Sequence, residues 1–222
     1  MKHLRQYIRQ ILLTEAAKGP TDLPDDIFVQ IKADNEFAEF EIVKKRKEYN
    51  GEPVYSRAVG AGSASGRDDG IYGSIQLYKI SSGEVDRVGP CLEAWMISWS
   101  QASPGYGPML YDLAMEYATA QGSGLMADRS EVSGDARKVW GYYLDSRSDV
   151  IPVQLDDAYS ELTDTYEDDC DQKVAGGSDW DATIDQDDID DNWPQHPLSK
   201  MYKKSNNSTI QELKALGKLV EL

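Results

Sequence analysis

Cysteine is scarce in this chain: Cys91 and Cys170 are the only two among 222 residues. Two cysteines do not make a disulfide framework, and their number points to a reducing, cytosolic compartment. Histidine is as rare. His3 and His196 stand far apart and match no zinc-ligand spacing, so no metal centre is expected of them. No apolar run approaches the ~20 residues that cross a bilayer. The opening MKHLRQYIRQILLTEAAKG lacks the uninterrupted apolar core of a secretory signal. A cytoplasmic protein with no membrane partner is the expectation. Positive charge is also short, with 23 Lys and Arg against 39 Asp and Glu and a formal charge of −16. Phosphate-backbone binding needs a basic face, so no direct nucleic-acid binding is expected.

What is present is organised. Fifteen acidic residues fall between Asp156 and Asp191, where Lys173 is the single base. The remainder is nearly balanced. The acidic stretch is expected as solvated loop, and residues 193–204 as an irregular surface segment. Within the stretch, Asp179, Asp181, Thr183, Asp187 and Asp190 have the spacing of a calcium loop. Ile184 stands where that loop needs glycine and Asp190 where it needs glutamate, so a solvated linker is the reading and no metal is assigned.

Periodicity divides the rest. Leu4, Tyr7, Ile8, Ile11 and Leu12 mark an amphipathic helix over 3–17, stopped by Gly19-Pro20. Strands are expected over 27–31, 37–43, 54–59 and 71–80, with Asn50-Gly51 as a hairpin turn. Residues 60–70 read as a small-residue loop. Residues 91–99, CLEAWMISW, read as one buried strand. A helix over 108–121, a short strand at 125–127 and a helix capped by Ser133 follow. A last helix runs from Ser208 or Thr209 to about 216. The expected units are a helix at 1–18, a core over 19–155, and an acidic loop with a C-terminal helix at 156–222 wrapping that core.

The informative unit is strand, Gly105-Tyr106-Gly107, helix. Glycines let backbone approach a ligand, and a helix N-terminus offers free N–H groups and the positive end of its dipole. That is a pyrophosphate site. The run GYGPMLYDLAMEYATAQGSGLMADRSEVSGDARKVWGYYLDSR resembles the coenzyme A-binding half of the GNAT superfamily of N-acetyltransferases. Gly105 and Gly107 match the loop glycines of that family, and Leu110 and Leu113 the helix packing positions. Residues 125–129 match the next strand, and Ser133 and Ala136 the start of the last helix. The resemblance covers roughly 60 residues.

The resemblance implies an α/β fold: a mixed, mostly antiparallel twisted sheet with flanking helices. The strands near Trp99 and Leu125 would be parallel neighbours at a splayed centre. It implies acetyl-CoA as co-substrate, bound by Gln101, Gly105, Tyr106, Gly107 and Met109. It implies transfer of acetyl to an amine on a small molecule or a protein lysine. Glu93, a carboxylate inside an apolar strand, is the expected base, and Tyr143 the expected acid. Two positions depart from the family. Ala102 stands where it has Gln or Arg, with Gln101 one place earlier. Trp140 stands where it has the tyrosine that protonates the thiolate. These departures keep open a catalytically inactive GNAT-like binding module. A third reading is a phage virion-internal or host-interaction protein whose acidic surface mimics nucleic acid. The charge of −16 favours it, and Leu13-Thr14-Glu15 adds a virion link, because the N-terminus resembles the leaders of phage internal head proteins that are clipped after (Leu/Ile)-x-Glu. On that reading the protein is phage-encoded, with a virion interior as a second location.

Overall fold

A computed structural model describes residues 17–57, 71–80, 89–129, 132–156, 162–170 and 192–221. The expected helix at 3–17, the loop at 60–70 and the calcium-like spacing at 179–190 lie outside these residues. The protein is α/β, with one mixed sheet of nine strands and three α-helices among the described residues. No described helix is long and apolar enough to cross a membrane.

The strands are β1 (Ile27–Ala33), β2 (Phe37–Tyr49), β3 (Glu52–Arg57), β4 (Gly73–Lys79), β5 (Trp95–Ala102), β6 (Leu125–Ala127), β7 (Val150–Gln154), β8 (Lys200–Lys204) and β9 (Leu219–Glu221). The helices are α1 (Gly107–Ala120), α2 (Gly134–Ser146) and α3 (Ser208–Ala215). Across the sheet the order is β7-β8-β6-β5-β4-β2-β1-β9, with β3 also paired to β2. Six pairings are antiparallel, and β1 with β9 and β5 with β6 are parallel. The parallel pairing of β5 and β6 agrees with the expected neighbours.

Alternation sets the sheet faces. In β4, Gly73, Ile75 and Leu77 are buried while Tyr78 is exposed. In β2, Phe40 and Ile42 are fully buried. Helix α1 lies over this face, with Leu110, Leu113, Ala114 and Ala118 in one core with Phe40, Ile75 and Trp95. Burying the four large aliphatic and phenyl side chains among these, Leu110, Leu113, Phe40 and Ile75, stabilises the fold by ~1.5–3 kcal/mol each. Glu116 is buried in the same helix and is fully used. Its two carboxylate oxygens accept the backbone N–H groups of Thr209 (3.0 Å) and Ile210 (2.8 Å), which caps α3 from outside. Ser133 caps α2 as expected, accepting from the Ala136 N–H at 3.2 Å.

Three expectations are corrected. Residues 200–204 are not a surface segment. They form β8, inserted between β6 and β7, so this segment is built into the sheet. Buried Lys204 is tolerated there because its ammonium meets Asp149 at 2.5 Å and Asp112 at 3.5 Å. The strand expected at 91–99 begins only at Trp95. Cys91, Leu92 and Glu93 form a 3-10 turn with φ near +50°, a left-handed conformation that ends the extended chain. Finally, Cys91 and Cys170 are joined by a disulfide across a sequence separation of 79. The reading of them as unpaired is therefore corrected, and the inference of a reducing compartment from their number loses its support.

Candidate functional site

The site follows from how β5 ends. Trp95, Met96 and Ile97 pair with Leu125, Met126 and Ala127 of β6. The pairing stops there. β5 runs on to Ala102, held only by β4 through Gln76, Ile75, Ser74 and Gly73. The register shifts between Gln76 and Leu77, so Ser98 is an extra residue on β5, and its Oγ lies 3.4 Å from the Gln76 carbonyl. Such a bulge twists its strand. On the β6 side, the backbone of residues 98–102 has no strand partner among the described residues.

A groove occupies this split. One part, about 210 Å³, lies between Ser98 and Trp99 on β5, Asp128 after β6, and Ala136 and Trp140 on α2. A second part, about 410 Å³, is bounded by Gln101, Ala102 and the loop through Gly105 and Gly107. Ser100, Tyr111, Ser133 and Ala136 line both parts, so the two adjoin along these residues and together make up the channel. Its size falls in the range of small-molecule sites.

The upper end of the channel is the start of α1. Gly105 has φ of 89°, which a side chain would strain. The Tyr106 ring is buried in the core and its hydroxyl donates to the Asp22 carbonyl at 3.0 Å. This anchors the loop from behind. Lys18 adds a cation on the same side, with its N–H donating to the Gly105 carbonyl at 2.9 Å and its ammonium 4.7 Å from the Tyr106 ring centre. Gly107 and Pro108 of the first turn of α1 line the second part, and Pro108 has no N–H to offer there.

The residues expected from the sequence divide between this channel and other places. Gln101, Gly105 and Gly107 line it. Tyr106 and Met109 do not; both side chains are in the core. Glu93 is not in a strand. It sits on the 3-10 turn before β5 with its side chain 64% exposed, 3.1 Å from the Lys79 ammonium, at the far end of β5 from the channel. Desolvation, the reason for choosing it as base, does not act there. Tyr143 is buried and does not line the channel; with Tyr142 and Arg147 it lines a neighbouring apolar cavity of about 250 Å³ that shares Pro108 and Val139 with the channel's second part. Its hydroxyl donates to Asp112 at 2.9 Å, and burial, then the Asp112 charge, holds its proton far above the ordinary phenol range. Asp112 is also held by Arg147 at 3.0 Å, so Tyr143 belongs to a network that ties α1 to α2 and β8.

The structure brings forward two groups that pattern reading passed over. Tyr111 lines both parts of the channel, with its hydroxyl 3.2 Å from Ser100 Oγ. Burial raises its proton affinity, partly offset by the Ser100 contact. Asp128 is the one carboxylate among the channel-lining residues. Its signal was available, since it directly follows a three-residue buried strand. Tyr111 gave none, because in α1 it reads as one more apolar position. Comparison of the chain with protein-family models, curated proteins and solved structures returned no match.

Proposed function

We propose that this protein is an acyltransferase of GNAT type, which moves an acetyl group from acetyl-CoA to an amine. The observation that carries the reading is the split of two parallel strands opening on a glycine loop at a helix N-terminus. The pyrophosphate would sit against Gly105, Gly107 and the first turn of α1. The pantetheine arm carries two amides and is extended. It matches the open backbone edge at residues 98–102, which offers donors and acceptors to such a chain. The thioester then lies beside Tyr111 and Asp128.

The transfer balances with these groups. The amine nitrogen attacks the thioester carbonyl, a C–N bond forms, and the C–S bond breaks. Asp128 takes the proton that the ammonium must lose, directly or through water. Tyr111 supplies the proton that the departing thiolate needs, and the second proton that the nitrogen sheds on becoming an amide returns Tyr111 to its phenol, directly or through water. The acceptor is an amine on a small molecule or a lysine side chain, and the chain's charge of −16 favours its approach as a cation.

Adding acetyl-CoA to the protein is the test. At 100-fold over its Kd the ligand would stabilise the native state by ~2.7 kcal/mol, a Tm rise of ~5–10 °C for a chain this size. A Cβ at Gly107 meets nothing within 4 Å, so Gly107→Glu leaves the fold intact and puts a negative charge against the phosphates. The shift should vanish in that variant. Tyr111→Phe should keep the shift and lower turnover by ~10²-fold or more, whereas Tyr143→Phe should leave the turnover of the folded enzyme within a few-fold. The absence of any shift at millimolar acetyl-CoA would overturn the reading. A second reading, binding without transfer, is favoured by Trp140 at the family's tyrosine position. A full shift with no turnover on any amine would select it.

A further inference from the structure

Just beyond the end of β7 lies an acidic corner. We propose that Asp156, Asp168 and Asp169 form a binding site for a hard divalent cation, calcium in preference to magnesium. The three carboxylates each present an oxygen within 4.8 Å of the others. Two oxygens bound to one calcium can stand up to ~5 Å apart, since each bond is ~2.3–2.6 Å, so the set is already close enough to share one ion.

Proximity of acids alone would mean little, and Asp156 supplies the second observation. Its side chain is fully buried. One oxygen, Oδ2, accepts the backbone N–H groups of Leu162 and Thr163, both at 2.9 Å. The other, Oδ1, is buried with no hydrogen-bond partner. A buried carboxylate oxygen left unsatisfied is costly, and a bound cation is the group that would satisfy it where the neighbours are also carboxylates. Arg129 donates to the Asp156 backbone carbonyl at 3.2 Å and to the Leu198 carbonyl at 3.0 Å.

The donors are held before any ion arrives. The Asp156 N–H donates to the Asp168 carbonyl at 2.9 Å, and the Cys91 N–H to the Asp169 carbonyl at 2.9 Å. The Cys91–Cys170 disulfide fixes the next residue. At Gly89 a Cβ would stand 2.5 Å from the Asp169 Cβ, so glycine there lets the two segments meet. An all-oxygen donor set selects calcium or magnesium over softer metals, and irregular loop geometry suits calcium, which does not demand an octahedron. The site's effect is to tie residues 162–170 to the end of β7.

Calcium titrated alone into the full chain, followed by calorimetry and by thermal unfolding, decides it. The expected result is one calcium per chain at this corner and a rise in Tm that magnesium at equal concentration does not match. Asp168→Asn, at a partly exposed position, should weaken calcium at least about tenfold through loss of ligand charge. Asp156→Asn should do the same, and if it fails to fold, Asp168→Asn alone decides. Asp179→Asn with Asp181→Asn should leave the affinity unchanged. The site is overturned if calcium gives no stabilisation, if Asp168→Asn retains wild-type affinity, or if the response follows Asp179 and Asp181 instead. Equal stabilisation by magnesium overturns the preference for calcium.

Discussion

The two ends of β5 share a strand and little else. At its start, Trp95 and Ile97 lie between β4 and β6 and are buried, and the turn just before them is bound through Cys91 to the acidic corner. At its finish, residues 98–101 have one neighbouring strand, and Trp99, Ser100 and Gln101 are exposed. One end is closed by packing and a covalent bond. The other is left open by a bulge and the departure of β6. Stability and ligand access are thus separated along eight residues, and mutations at the two ends should affect different properties.

The largest difference should come from the two tryptophans. Trp95 is 1% exposed and its ring meets Tyr117 edge-on at 5.3 Å. Trp95→Ala should cost ~3–5 kcal/mol, as removal of a buried aromatic side chain does. Trp99 is 54% exposed, and Trp99→Ala should stay within about 0.5 kcal/mol. Urea unfolding of both variants measures this. Equal destabilisation would mean that the open end is packed after all.

The second contrast is covalent. Removing the disulfide by Cys91→Ala with Cys170→Ala should cost ~2–4 kcal/mol on a chain-entropy account of a long closed loop. The loss should appear as a lower unfolding midpoint. Acetyl-CoA binding at the other end of β5 should change by less than a factor of about three, because distant sites act independently. Loss of cofactor binding in the folded double variant would break the separation.

Much of this architecture was legible, and the failures have physical causes. The helices α1 and α2, the three residues of β6 and the Ser133 cap follow from periodicity and from local hydrogen-bond chemistry, which a sequence displays. β8 was hidden because KMYKK reads as surface. Lys200 and Lys204 are buried only because Gln154, the Pro194 carbonyl and Asp149 receive their charges, and all three are distant in sequence or outside the strand. Glu93 was misplaced because a left-handed turn over Cys91 and Leu92 leaves no mark in an apolar run. At the channel, the glycine loop was readable and the reacting groups were not. Tyr143 shares a helix face with the expected position, but Asp112, one helix away, takes its hydroxyl. The groove exists because strands diverge, and divergence belongs to pairing, not to any residue's own pattern.

The smallest effect expected is a proton at the closed side. The His196 ring lies parallel to Trp193, 6.3 Å between centres, and its Nδ1 accepts the Leu198 N–H at 3.2 Å. Burial, then the charges of Arg137 and Arg129, lower its pKa to about 4. The unfolded chain binds that proton near 6.5, so between these values it holds more protons than the native state. Stability from the neutral ring is therefore complete above pH 6.5 and is lost as pH falls towards 4. One proton limits the slope to ~1.4 kcal/mol per pH unit, and the ring's partial exposure reduces it further. Urea midpoints at pH 7 and pH 5 measure it in wild type and in His196→Asn. The variant should be less stable at pH 7 and should lose less on acidification. A variant as pH-sensitive as the wild type would place the titrating group elsewhere and remove His196 from the account of the closed end.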